Sequence, residues 1–358
     1  MKLKNSKKTR ERERERETTS EDRMRLGRQS NLELLRIVSM LFIIMLHIGA
    51  ASIGLPAPLQ TTTSRDIWVL IVESFSIIGV NCFALISGYF GIKASWRSFA
   101  RFTLLCVVYA VSIYTFLAVL DLVPWSWNTW IKKWLVYTHS ELWYVPAYLG
   151  LFLLSPFLNQ ATPNKWTLIG FLVFNIWCGW LWKGNFNPTG YTIMQLIMMY
   201  LTGGYIKRQV DFKTNRRQIR RISLGIYVAT SIAIAIMALY VESQFTFAYN
   251  SPLVMLSSIA LFLFFTSLDF QSKAINKLAS SAFAVYLVHK NDFIFGGILK
   301  PVSRHVWENT SLFAYTLFFT TFALGIYFAI FLIDTARQAC FSKIAMLCSK
   351  LKKSLENK

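Results

Sequence analysis

Residues 31–47 read NLELLRIVSMLFIIMLH, and this stretch decides the fold because it is long and apolar yet carries ionisable side chains. About 20 apolar residues, each rising 1.5 Å, cross the hydrocarbon core of a bilayer. Arg36 and His47 stand eleven positions apart within it. At 100° per residue they return to the same helix face, separated by roughly 16 Å along the axis. The stretch predicts a membrane span with a cation and an imidazole on one side.

Apolar runs of similar length recur along the rest of the chain. The 358 residues are 54% hydrophobic and 16% charged, against roughly 25% charged in an ordinary soluble domain, which argues against a water-soluble globule. We predict an all-α, polytopic transmembrane helix bundle. Its ten candidate helices cover residues 34–51, 67–90, 102–120, 143–160, 165–183, 188–206, 222–241, 250–268, 280–299 and 311–333. The exact number of spans around 165–206 stays open, because one of those two short helices could be re-entrant.

The formal charge of +20 sits in short blocks between the apolar runs, so it indicates loops that hold topology and gives no reason to expect a nucleic-acid partner. We predict a multi-pass protein of a bacterial plasma or inner membrane with both termini cytoplasmic. Residues 1–32 are expected to form a basic, disordered tail, 33–335 the membrane domain and 336–358 a basic C-terminal tail. The loop with most cations then lies inside, carrying Lys207, Arg208, Lys213, Arg216, Arg217, Arg220 and Arg221.

Five cysteines are scattered without a CxxC pair or a histidine at metal-ligand spacing, and we expect free thiols and no metal site. They are Cys82, Cys106, Cys178, Cys340 and Cys348.

Ionisable residues inside membrane spans are costly and usually functional. Arg36, at the predicted cytoplasmic boundary, suits a phosphate or carboxylate, and the alternative is a positive anchor that snorkels to the headgroups. His47 suits a polar cavity in the outer half of the bilayer, and the alternative is a histidine that packs against a neighbouring helix. Glu73 falls near the same depth, so we predict that its carboxylate orients His47, as the acid of a catalytic triad does. The alternative that Glu73 faces solvent at the outer rim of the membrane stays open.

Two further segments attract attention. The four polar residues 289–292 interrupt the ninth predicted helix, so they must line a cavity or meet partners on other helices; ion pairing that only fixes helix packing is the alternative. In the outer segment 121–141, Trp130, Trp134 and Tyr137 follow helical spacing. They indicate a surface helix that forms either an interfacial aromatic belt or a platform on which sugar rings stack.

These residues resemble the acyltransferase 3 family of integral-membrane acyltransferases over about residues 33–335. Glu33, Arg36 and His47 match the family's first-helix pattern. The remaining likeness lies in FALISGYFG with Ser87, Gly88 and Tyr89, in the following basic residues Lys93, Arg97 and Arg101, in ELWYVPAYLGLFLLSPFLN, and in SSAFAVYLVHK with Ser281, Tyr286 and His289. Arg97 and Arg101 are four positions apart, whereas some relatives space the two arginines by three.

The resemblance implies an enzyme that transfers an acyl group, most often acetyl from acetyl-CoA, to a hydroxyl of a cell-surface polysaccharide or lipid-linked glycan. The acyl-CoA is a substrate, and no metal is expected. The resemblance and the residue chemistry together assign catalysis to His47 and Glu73. The remaining assignments are acyl-CoA binding to Arg36, Arg97 and Arg101, and acceptor binding to Glu141, Trp143, Tyr144 and His289.

Two rival functions remain. A transporter or flippase would use the same polar cavity, lined by His47, Glu73 and the residues around His289, to move a small solute or a lipid-linked sugar. The second rival is an acyltransferase with a non-sugar acceptor, such as an amino acid or peptide.

Overall fold

The computed structural model describes residues 29–60, 63–138, 142–182, 186–212 and 214–356. Every regular element in these ranges is helical. Five helices are long and apolar enough to cross a membrane, namely Ser30–Ile53, Ser64–Phe90, Trp96–Val119, Arg216–Tyr240 and Leu312–Lys343. The predicted all-helical membrane fold is therefore confirmed at this level, whereas ten crossings and two cytoplasmic termini stay predictions.

Each of the ten predicted helices overlaps helical structure, although several are divided. The chain forms α1 (Ser30–Ile48), α2 (Ala50–Ile53), α3 (Ser64–Ser76), α4 (Gly79–Phe90), α5 (Trp96–Val119), α6 (Trp127–Trp134), α7 (Tyr144–Gln160), α8 (Lys165–Asn175), α9 (Ile193–Gln209), α10 (Arg216–Tyr240), α11 (Ser243–Thr246), α12 (Pro252–Thr266), α13 (Lys273–Ala279), α14 (Ala282–His289), α15 (Asp292–Ile294), α16 (Lys300–Asn309) and α17 (Leu312–Glu356). Single π-helical segments extend α8 over Ile176–Leu181 and α15 over Phe295–Leu299.

The predicted helix 280–299 is broken. α14 ends at His289, and α15 begins after Asn291, whose side-chain oxygen accepts a hydrogen bond from the Phe293 amide at 3.2 Å. Because Asn favours helix caps over helix interiors, the polar residues 289–292 form a junction between two helical pieces. This junction carries His289 and Lys290 at the level of the end of α1.

The first and last helices extend into the segments predicted as tails. α1 already begins at Ser30, whose hydroxyl donates to Asn276 Oδ1 at 2.9 Å and accepts from the Ser272 amide at 2.8 Å. Residues 1–28 lie outside the described part. The last predicted helix, 311–333, is longer than expected, because α17 continues to Glu356; the C-terminal tail 336–358 stays a prediction, with residues 336–356 helical.

α1 lies at the centre of the bundle and contacts α3, α4, α12, α13, α14 and α17. In this position many of its side chains are buried, including Leu32, Leu35 and Ile44 with no exposed surface. We call the two ends of the bundle the Arg36 end and the His47 end, after the residues of α1 that mark them.

α4 and α9 cross at very short range, and Gly88 makes this crossing possible. A Cβ atom at Gly88 would lie 1.9 Å from the Tyr200 carbonyl oxygen, and one at Gly203 would lie 2.2 Å from the Leu85 carbonyl oxygen. Small residues allow such close backbone approach between membrane helices. The glycine of the Ser87-Gly88-Tyr89 motif therefore has a packing role.

Candidate active site

A cavity of about 550 Å³ runs along one face of α1, and Arg36 and His47 both line it. Met40 and Ile43 line it between them, so the four side chains follow the helical spacing i, i+4, i+7 and i+11. The shared face predicted from the sequence is thus present, and the two ionisable groups look into one space. The alternatives of a positive anchor for Arg36 and of a histidine that packs against a neighbouring helix for His47 stay open beside the predicted roles.

His47 has a defined partner on another helix. Its Nδ1 lies 2.9 Å from Nε2 of His289, and Nδ1 of His289 lies 2.6 Å from the Val285 carbonyl oxygen. Since a carbonyl only accepts, His289 must donate from Nδ1, which leaves the Nε2 of its neutral ring as an acceptor. His47 then donates from Nδ1, and the lone pair of a neutral His47 lies on Nε2. The hydrogen-bond chain sets the tautomer that a general base needs.

The predicted pairing of Glu73 with His47 is replaced by this pair. Glu73, on α3, is buried and lines the same cavity, so it belongs to the site but does not orient the imidazole through Nδ1. The solvent-facing alternative for Glu73 is wrong as well, because only 8% of its surface is exposed. His289, predicted to bind the acceptor, is fully buried, does not line the main cavity and contacts the ring of His47.

Arg36 is held by the acidic residue of its own motif. Its Nη1 donates to both carboxylate oxygens of Glu33, at 3.2 and 3.1 Å, and its side chain retains 29% exposure. A second cavity of about 420 Å³ adjoins the first at the Arg36 end, and Arg36, Phe102 and Tyr148 line both. The two cavities are therefore adjacent, and Arg36 lies at their common boundary.

The other predicted acyl-CoA ligands lie elsewhere. Arg97 and Arg101 are exposed and line neither of these two cavities. Lys93, the first cation of the same basic segment, lines the second cavity beside Arg36. Its position just after α4 was visible in the sequence, but nothing in the spacing distinguished it from the arginines that follow.

Trp143 and Tyr144 line the main cavity, as expected for acceptor-binding residues, whereas Glu141 lies outside the described residues. Trp143 packs against two tyrosines that the sequence gave no reason to choose. Its ring centroid lies 5.0 Å from that of Tyr191 and 6.0 Å from that of Tyr249, in a stacked arrangement with the latter. Both tyrosines line the cavity together with Glu73.

A buried amide network holds Tyr249 from behind. The side-chain amides of Asn81 and Gln195 each donate to the Tyr249 carbonyl oxygen at 2.9 Å. Gln195 also donates to Asn81 at 3.0 Å and accepts from Asn175 at 2.9 Å. These fully buried amides satisfy one another, and they fix the backbone that presents Tyr249 to the cavity. Their positions on separate helices hid the network from sequence reasoning.

The predicted surface helix is present but short. α6 ends at Trp134, so Tyr137 lies beyond it, and the Tyr137 hydroxyl is 2.6 Å from that of Thr103 on α5. Trp127 and Trp134 are exposed, and the Trp130 indole donates to Thr115 at 3.2 Å. The hydrogen bonds of Trp130 and Tyr137 hold the helix and the residues after it against α5, while Trp127 and Trp134 remain exposed. This arrangement fits either an interfacial aromatic belt or a platform on which sugar rings stack.

A family model described as an acyltransferase domain, of the acyltransferase 3 type, matches residues 29–332. The match includes Arg36, His47 and every other residue of the cavity discussed above. Comparison with curated proteins and with solved structures gave no match.

Proposed function

The chain belongs to the acyltransferase 3 family of membrane acyltransferases, and from this premise we propose that it transfers acetyl from acetyl-CoA to a hydroxyl of a cell-surface polysaccharide or lipid-linked glycan. The observation that carries the proposal is the single cavity that connects Arg36 with the lone pair of His47. We assign the protein to the plasma or inner membrane of a bacterium, with the Arg36 end facing the cytoplasm.

Acetyl-CoA enters at the Arg36 end. Its phosphates bind Arg36 and Lys93, the two cations that line the adjoining cavity, because guanidinium and ammonium groups form strong charge-assisted hydrogen bonds to phosphate. The Glu33 carboxylate holds the guanidinium in place beforehand. The extended pantetheine arm follows the face of α1 over roughly 16 Å, eleven residues at 1.5 Å each, and brings the thioester to His47.

The acceptor hydroxyl then reacts at His47. Nε2 removes the proton as the hydroxyl oxygen bonds to the thioester carbonyl carbon, and the resulting tetrahedral intermediate collapses with loss of the C–S bond. The imidazolium returns its proton to the leaving thiolate, giving CoA–SH and the acetyl ester. His289 accepts the Nδ1–H bond throughout, so the ring neither rotates nor changes tautomer.

The aromatic walls suit both substrates. The rings of Tyr148 and Phe283 lie 5.3 and 5.2 Å, centroid to centroid, from the ring of Phe102. All three line the main cavity, and they exclude water from the path that the pantetheine arm follows to His47. Trp143, Tyr191 and Tyr249 offer apolar ring faces next to the Glu73 carboxyl group, which accepts hydrogen bonds from sugar hydroxyls. This combination favours a carbohydrate acceptor over an apolar one.

Transfer of radiolabel from acetyl-CoA to candidate glycans by the purified protein tests the function. We expect the wild type to produce labelled glycan and an equimolar amount of free CoA. His47→Ala should produce neither, with its yield and its elution volume in size-exclusion chromatography unchanged. His305→Ala is the matched control, because His305 is an exposed histidine outside the cavity. Flux of a sugar in proteoliposomes without any acyl donor, together with full activity of His47→Ala, would instead support a transporter.

A further inference from the structure

Lys290 is a cation of the cavity that the proposed mechanism leaves unused. It follows His289 directly, caps the end of α14 and lines the cavity together with His47. Its Nζ lies 4.3 Å from the centroid of the Phe295 ring, and that ring meets the His47 ring edge-on at 5.7 Å. The Phe295 ring therefore contacts both the ammonium group and the imidazole.

The ammonium group of Lys290 has no carboxylate partner among the described residues. The ion pairs there join Arg36 to Glu33, Arg216 to Asp269, Arg304 to Glu308 and Arg337 to Asp334. Asp292, two residues away, interacts with Lys133, where its charge opposes the lowering of the lysine pKa that burial causes. Glu73 interacts with Tyr191 and Tyr249 on another part of the cavity wall.

Lys290 is half-buried, so its ammonium group loses part of its hydration without gaining an anion, and a ligand of opposite charge would compensate for that loss. The cation–π contact with Phe295 compensates only part of this cost. The free cation is therefore available for an anion in the cavity.

The position of Lys290 shows which substrate would bring that anion. Arg36 and Lys93 serve the phosphates of the donor at one end, whereas Lys290 lies at the His47 end, where Ala50, Ala51 and Leu55 line the cavity. Lys300, on the adjacent helix α16, adds to the positive potential there. The acceptor enters from this end in the proposed reaction, so it passes the ammonium group on its way to His47.

We propose that the acceptor is an acidic glycan, in which a carboxylate or phosphate next to the acetylated hydroxyl binds Lys290. This inference rests on the proposed function and narrows its substrate class. The anion pairs with Lys290 on one side of the cavity, while Trp143, Tyr191 and Tyr249 receive the sugar face. Binding at two sides holds one hydroxyl at Nε2 of His47. The enzyme then selects both the hydroxyl that is acetylated and the charge of the acceptor.

Matched acceptors test the charge requirement. A uronate-containing oligosaccharide is compared with the same oligosaccharide reduced to the neutral sugar, and a phosphate-bearing oligosaccharide with its dephosphorylated form. In the wild type we expect a KM at least about tenfold lower for an acidic acceptor than for its neutral counterpart, the factor expected of one charge-assisted hydrogen bond. The pair with the larger ratio identifies carboxylate or phosphate as the natural anion.

Substitutions at Lys290 test the residue. Lys290→Ala should raise the KM of the acidic acceptor about tenfold or more and leave that of the neutral acceptor, the KM of acetyl-CoA and kcat almost unchanged. Lys290→Arg should restore the preference, and Lys290→Glu should reverse it. Lys132→Ala, which removes an exposed cation of α6 that does not line the cavity, should behave as wild type.

The outcomes separate the two proposals. Equal KM values for acidic and neutral acceptors in the wild type overturn the acidic-acceptor inference while acetyl transfer itself stands. The inference is also overturned if Lys290→Ala lowers kcat with every acceptor and changes the rate at which acetyl-CoA is hydrolysed without an acceptor. That result would indicate a role of Lys290 at the thioester carbonyl. If the wild type acetylates no glycan, neutral or acidic, both proposals fall.

Discussion

Nδ1 of His47 and Nε2 of His289 are 2.9 Å apart, although the two residues are 242 positions apart in the chain. The Val285 carbonyl beneath His289 gives this contact a direction, because it requires His289 to donate from its other nitrogen. The pair thus acts as a short relay of fixed polarity that ends at the free lone pair of His47. In the proposed mechanism, His289 is a positioning residue and His47 is the residue that contacts the substrate.

His289→Ala should lower kcat by about tenfold or more, up to the 10²–10⁴ that general base catalysis contributes, because His47 loses the acceptor that fixes its tautomer. His289→Gln should retain more activity, since its amide oxygen can accept from Nδ1–H. Steady-state kinetics and the pH profile of kcat measure the effect, and His305→Ala is the control. A purely structural role would leave the pH profile of the residual activity in place.

Glu73→Gln should change kcat by less than about tenfold and raise the KM of the acceptor. The carboxyl group shares the cavity with Trp143 and Tyr191 but not the hydrogen bond of His47, so its loss weakens acceptor binding by the value of one hydrogen bond, about 0.5–1.5 kcal/mol or more if charged. A fall in kcat of about 10² with an unchanged KM would show instead that Glu73 acts on the imidazole.

Arg36→Ala should raise the KM of acetyl-CoA about tenfold or more. Arg36→Lys should raise this KM less, because lysine keeps the positive charge but loses the bidentate hydrogen bonding to phosphate. Lys93→Ala should have a similar but smaller effect. Arg97→Ala and Arg101→Ala are matched controls, since both arginines are exposed and line neither cavity. Binding of acetyl-CoA measured by titration calorimetry checks the order of the variants. Equal affinity of all five variants and the wild type would remove the Arg36 end from donor binding.

Gly88→Ala should destabilise the protein by about 1–3 kcal/mol, because its methyl group would meet the Tyr200 carbonyl oxygen at the crossing of α4 and α9. Gly170→Ala is the control, since a Cβ at this helical position meets nothing within 4 Å, and it should be neutral or slightly stabilising. Thermal unfolding followed by size-exclusion chromatography in detergent distinguishes them. Equal midpoints for the two variants would argue against tight packing at Gly88.

Several features could be predicted from local sequence. The spacing of Arg36 and His47 predicted a shared helix face, and apolar runs predicted helices at all ten positions, because helical periodicity depends only on neighbours along the chain. Boundaries were less accurate. The break after His289 and the extension of α17 to Glu356 depend on caps and on packing against other helices, which a hydropathy pattern does not contain.

The sequence by itself thus determined the class of fold, the family motif and the two ionisable groups on α1. Only the tertiary structure decided that His289, not Glu73, contacts Nδ1 of His47, and that Lys93 lines a cavity beside Arg36 whereas Arg97 does not. It also decided that Lys290, Tyr191 and Tyr249 line the main cavity. The physical reason is that depth in a bilayer can be counted along one helix, whereas the rotation of each helix about its axis is set by packing against its neighbours. That rotation selects which side chains of equal depth meet.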